Sequence, residues 1–258
     1  PEVMWQFSEA IDGIAEACRA LKIPITGGNV SFYNDTLGQS IDPTPILGVL
    51  GLMEDASRAL AMAFRAEGDA IVLLDGCSPT APATTGAQLD EFSSSEYART
   101  VAGIVGGKPP AIDLAAESRL IEALLALAAQ GLLASAHDLS DGGIAVAIAE
   151  SVFACAAGSG TGGLAADIAL RSEAASAELA LFAEQGARAI VSTPQAKLAP
   201  LLQIAAQSFL PETYLRIISL TIFDEPGSRL FVTSSNRRSG GSCSRALITE
   251  TFFLMPAE

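Results

Sequence analysis

Residues 132–153 constrain the fold more than any other part of the chain. Residues 132–136 (LLASA) form a short, mostly apolar run that reads as a strand, and residues 137–143 (HDLSDGG) read as a tight polar loop. Residues 144–153 are Ala-rich and apolar nearly throughout, which marks a helix buried over most of its circumference. A strand that turns through two glycines into such a helix needs a sheet beneath it and further apolar elements around it. The composition supplies them: of 258 residues, 50% are hydrophobic and 17% charged, with a mean hydropathy of +0.39. This excludes a disordered chain, and 23 glycines with 13 prolines in no fixed period exclude a collagen-like one.

Elsewhere, strand and helix patterns mix without strict alternation. Apolar residues at Ile11, Ile14, Cys18 and Leu21 predict a helix over 7–21, with Ser8 as its N-cap. Residues 23–26 read as a short strand, 45–53 as a buried strand, and Asp55 as the cap of a helix through Phe64. Further strands are expected at 70–74, 163–168, 188–193 and 214–223, and helices at 95–105, 114–130, 175–183 and 195–207. In the helix at 114–130, Leu120, Ile121, Leu124, Leu127 and Ala128 share a face, and Gly131 ends it. Residues 75–93 are rich in Pro, Thr, Ser and Gly and read as a long loop. The pattern predicts an α+β fold with helices on one face of a sheet.

The formal net charge is −14 and the pI about 4.4. Such a field repels phosphate backbones and anionic lipid, so neither nucleic acid nor a membrane surface is an expected partner. All of the net charge lies in residues 1–206, while charges in 207–258 balance. The segment around Ser234–Ser242 has low complexity, and 207–258 is expected to be a divergent, poorly ordered tail. Cys18, Cys77, Cys155 and Cys243 form no C-x-x-C pair, which suits reduced thiols in a cytoplasmic protein. The chain opens at Pro1 almost directly into a helix, and the expectation is a piece of something longer.

Two motifs can carry chemistry. Gly27-Gly28-Asn29-Val30-Ser31 follows the strand at 23–26. Its glycines allow close backbone approach and an anion-binding nest, Asn29 offers an oxygen for Mg²⁺, and Ser31 offers a hydroxyl to a phosphate or sugar. An ordinary strand-to-loop turn accounts for the same residues. Ser135-Ala136-His137-Asp138-Leu139-Ser140-Asp141-Gly142-Gly143 packs the only histidine with two carboxylates before a helix. His137, Asp138 and Asp141 suit metal binding or proton transfer. Equally, Asp141 can cap the helix, Asp138 can make an Asx-turn, and His137 can be structural. Ser93-Ser94-Ser95-Glu96-Tyr97 reads as a capping segment with Ser95 at the cap in preference to a loop closing over a ligand, and Glu184 and Arg188 as solvated residues in a helix-to-strand connection.

The segments WQFSEAIDGIAEACRALKIPITGGNVSFYNDT, IDPTPILGVLGLMED, FSSSEY and SAHDLSDGGIAVAIAES occur in order. Over residues 1–205 the chain thereby resembles the C-terminal part of phosphoribosylformylglycinamidine synthase of the small synthetase-subunit type. The resemblance implies that 1–55 end an aminoimidazole-ribonucleotide-synthetase-like N-terminal domain and that 56–206 form its C-terminal α+β domain. It implies a ligase of purine biosynthesis in which ATP and Mg²⁺ activate the amide of formylglycinamide ribonucleotide and ammonia from glutamine then gives the amidine. At matching positions Gly28 would contact ATP, Asn29 would bind Mg²⁺ and Ser31 would contact substrate.

The same resemblance places the family's first half, with its catalytic histidine and most ligands, outside this sequence. The implied partners are that half, a glutaminase subunit and a small accessory subunit, and the chain alone is expected to be inactive. Where the family has Glu-Ser-x-x-Arg, the chain has Glu184-Gln185-Gly186-Ala187-Arg188, and beyond Ala206 the expected ending is absent. Two alternatives stay open: another ATPase of the superfamily, such as a selenophosphate-synthetase-like protein, and a non-catalytic nucleotide-binding or structural half-subunit. Residues 1–55, short of sheet partners, are expected to self-associate as a homo-oligomer or to bind a partner.

Overall fold

A computed structural model describes residues 2–76, 85–159, 164–171, 176–208, 215–224, 230–235 and 248–250, with backbone alone for 85–88, 155–159, 164–171, 208 and the segments after it. The chain divides into two units, Pro1–Ala59 and Leu60–Glu258.

The first unit holds helix α1 (Glu2–Leu21), which begins ahead of Ser8, so Ser8 lies inside the helix and does not cap it. The Ile23 amide closes onto the Cys18 carbonyl at 3.0 Å. Strands β1 (Asp35–Thr36) and β2 (Gln39–Ser40) pair antiparallel across Leu37 and Gly38, both at positive φ, as a two-residue type I′ turn requires. The strands expected at 23–26 and 45–53 do not form; both segments run without a ladder. An apolar run becomes a strand only when neighbours take its N–H and C=O groups. None of the described residues of this unit is buried. Asp55 does cap, accepting the Ser57 amide at 3.0 Å, but the helix it starts is a single 3₁₀ turn, Ala56–Arg58.

In the second unit the elements run β3 (Ala70–Asp75), α2 (Thr85–Phe92), α3 (Glu96–Ala102), α4 (Leu114–Ala129), β4 (Ser135–Asp138), α5 (Gly143–Ser159), β5 (Leu164–Arg171), α6 (Ala177–Phe182), β6 (Arg188–Thr193), α7 (Gln195–Ser208), β7 (Leu215–Asp224), β8 (Leu230–Ser235) and β9 (Ile248–Glu250). The sheet order is β4-β6-β3-β7-β5-β8-β9, antiparallel except for β5 with β8. Three of these strands fall in 207–258, the segment expected to be poorly ordered, and take places in this sheet.

The α+β class stands, but helices cover both faces of the central strands. Ile71, Leu73 and Ile190 pack with Ile144, Ile148 and Val152 of α5 and Leu181 of α6. Val72, Leu74, Ala189 and Val191 pack with Leu120, Ala123 and Leu127 of α4 and Leu201 and Ala205 of α7. The unbroken apolar run of β3, where alternation would give a polar face, is the sequence sign of this two-sided burial. The second part of the loop expected at 75–93 is α2. Gly131 follows the α4 cap Gln130 in left-handed backbone, φ 63°, as expected of a residue ending a helix.

Candidate functional site

The loop Gly27–Ser31 lies in the first unit, and Gly28, Asn29 and Ser31 are all exposed. The Ser31 hydroxyl donates to Asn34 Oδ1 and the Asn34 amide returns a bond to the Ser31 carbonyl, both at 3.2 Å. This reciprocal pair shapes the turn and leaves Asn29 outside it. A Cβ built on Gly27 or Gly28 meets nothing within 4 Å, and neither residue is at positive φ. The described residues therefore do not themselves demand glycine there; close approach of another molecule would. Among the described residues no group of three or more His, Cys, Asp or Glu side chains is placed to hold a metal ion. Asn29 brings one neutral oxygen, so the residues present do not make a complete magnesium site.

The second motif is arranged differently from the expected loop. His137 and Asp138 lie in β4, opposite Ile190 and Ala189 of β6. With its side chain only 12% exposed, His137 sets Nδ1 3.1 Å from Asp138 Oδ1 and Nε2 2.9 Å from Glu150 Oε2. Glu150 comes from α5; it is the first charged residue in that helix after the apolar run, and this break in the pattern is its only signal in the sequence. Both ring nitrogens face carboxylates, so the cluster links strand to helix. Asp141 stands apart from it, exposed. Its charge adds to the rise of the Arg99 guanidinium, whose main cause is the hydrogen bond to Glu96.

At the start of α5, the carboxylate that accepts a backbone amide is that of Glu184. One carboxylate oxygen, Oε1, accepts the Gly142 amide just before α5 and the Glu96 amide at the start of α3, each at 2.8 Å. Glu184 is half-buried and Arg188 is largely buried, with Nε 3.5 Å from Asp75 Oδ2 across the β3–β6 ladder. Neither is the solvated residue expected. Ser95 caps α3 as expected, accepting the Ala98 amide at 3.2 Å. The structure thus joins parts of three of the sequence motifs, those at 93–97, 135–143 and 181–188, around Glu184. The loop Gly27–Ser31 belongs to the other unit.

The two family matches fall on either side of the division between the units. Residues 66–213 match the family model of AIR synthase related protein, C-terminal domain, and residues 1–53 match that of its N-terminal domain. A phosphoribosylformylglycinamidine synthase subunit PurL from Leifsonia xyli is 49% identical over 195 residues, 76% of this chain and 23% of that relative. The corresponding subunit of a Parafrankia species is 43% identical over 219 residues, 85% of this chain and 26% of its own. The chain therefore spans about a quarter of the length of these curated relatives. Among solved structures, Thermotoga maritima PurL complexed with FGAR superposes with a TM-score of 0.54 at 21% identity, over 76% of this chain and 29% of that one, a likeness of fold. No helix among the described residues is long and apolar enough to cross a membrane. With one family model alone matching more than half of its residues, the chain belongs to the AIR synthase related proteins, in their phosphoribosylformylglycinamidine synthase branch.

Proposed function

We propose that this chain is part of an ATP-dependent carbon–nitrogen ligase that converts formylglycinamide ribonucleotide to its amidine in purine biosynthesis. The carrying observation is the sequence identity to synthase subunits over 76% of the chain, backed by matches to both domain families. Gly28 is the backbone approach point for ATP, Asn29 gives one oxygen to Mg²⁺, and Ser31 contacts substrate. Each of these residues is exposed on one loop and bears the right chemistry: a backbone with open space where a side chain would stand, a neutral oxygen and a hydroxyl. Turnover requires the other half of the synthetase, with a glutaminase subunit and a small accessory subunit as partners, in the cytoplasm. His137, Asp138 and Asp141 are the weaker site candidates, because the first two are committed to the β4–α5 link.

The test is complementation. The chain is combined with the remaining part of a PurL-type synthetase and supplied with ATP, Mg²⁺, formylglycinamide ribonucleotide and ammonia. Amidine and ADP formed only in the mixture support the reading. A mixture that assembles but forms neither product defeats it.

A further inference from the structure

We infer that Glu184 is a positioning residue that makes the start of α3 and the 139–143 turn open and close as one unit. Its Oε1 is the shared acceptor for two amides 88 and 42 positions away in sequence, Glu96 and Gly142. A single oxygen serving two donors cannot stay with one segment while the other departs without losing half of its charge-assisted bonding. The surroundings reinforce the link. The ring of Phe182, two residues before Glu184, stacks on Tyr97 with centroids 4.5 Å apart, and Tyr97 in turn lies 5.5 Å from Phe92. On the other side, a Cβ at Gly143 would stand 2.9 Å from the carbonyl oxygens of Leu181 and Ala183, so the turn rests directly on the backbone leading to Glu184. The 181–184 segment is thus held between the two others, and among the described residues Glu184 is the one side chain that bonds both. Coupling of this kind is reciprocal: the factor by which opening of α3 favours opening of the turn equals the factor by which opening of the turn favours opening of α3.

The experiment is residue-resolved amide exchange on the full chain. Glu184→Ala is expected to speed exchange at both Glu96 and Gly142 by about tenfold or more, the scale set by losing a bond to a charged acceptor. Glu184→Gln keeps an oxygen acceptor without the charge and is expected to speed both by a smaller factor. Ser95→Ala removes the α3 cap without touching the turn; it is expected to speed Gly142 in the parent chain and to have no further effect on Gly142 in Glu184→Ala. Acceleration of Glu96 alone by Ser95→Ala overturns the inference. So does an unchanged amide in Glu184→Ala, or an equal acceleration at Val72 in β3, which would make the effect global.

Discussion

Gly131 and Gly143 have the same left-handed backbone, φ 63°, but a side chain would find open space at the first and backbone oxygens at 2.9 Å at the second. Gly131→Ala therefore carries only the conformational penalty, about 1–2 kcal/mol. Gly143→Ala adds overpacking against a segment that cannot swing aside and is expected to cost at least about 1 kcal/mol more. Urea midpoints for the two variants at unchanged m-value check the order; equal midpoints would remove the close-packing argument for the turn. Asp69 tests charge in place of space. It is buried, and burial pushes its carboxyl up from the ordinary value of 3.8, with a bond from Ala66 opposing. The folded state thus holds the proton more tightly than the unfolded one. The resulting stability is complete below 3.8 and is lost as pH rises through the folded value. Asp69→Asn is expected to raise Tm at pH 7 and to lose that advantage as pH falls toward 3.8; a Tm gain that does not vary with pH would contradict it.

Elements were legible where local pattern and tertiary setting agree. Strand β6 has the limits expected of it, and α4 ends within a residue of them, because apolar periodicity and a terminal glycine are local signals. Asp113 caps the start of α4: its Oδ1 accepts the Ala115 and Ala116 amides at 3.0 and 2.9 Å. Asp113→Ala is expected to lower stability by about 1 kcal/mol and Asp113→Ser by less, measured by chemical unfolding; equal stability of all three proteins would dismiss the cap. Strand β4 begins at Ser135 because its ladder is set by β6, where Ser135 stands opposite Ser192 with their hydroxyls 2.6 Å apart. No feature of 132–138 reveals that partner. The candidate site divides the same way. Gly28, Asn29 and Ser31 were legible as a compact motif, whereas the part played by Glu184 depends on amides far along the chain and was not.

At the scale of the whole molecule, the two units differ in how they are supported. The second has a core on both faces of its sheet, while the first exposes Ile46, Leu50 and Leu52 at 93%, 99% and 98%. An unpaired apolar run of this kind is a template for association. Sedimentation is expected to show mass rising with concentration, and Leu50→Lys to suppress the rise; a monomer at all concentrations would count against it. The ligase reading makes a sharper demand on the same unit. A Cβ at Gly28 meets no described residue within 4 Å, so Gly28→Val is expected to leave Tm unchanged and to act only on bound nucleotide. With one amide oxygen from Asn29, no accompanying carboxylate set among the described residues and a net charge of −14, the chain alone is expected to hold Mg·ATP only in the millimolar range, about 4 kcal/mol. In the reconstituted synthetase binding should tighten, Asn29→Ala should weaken it, and Gly28→Val should weaken it further by blocking backbone approach. Calorimetric titration separates the outcomes: micromolar binding by the chain alone that Asn29→Ala does not change would move the nucleotide away from this loop.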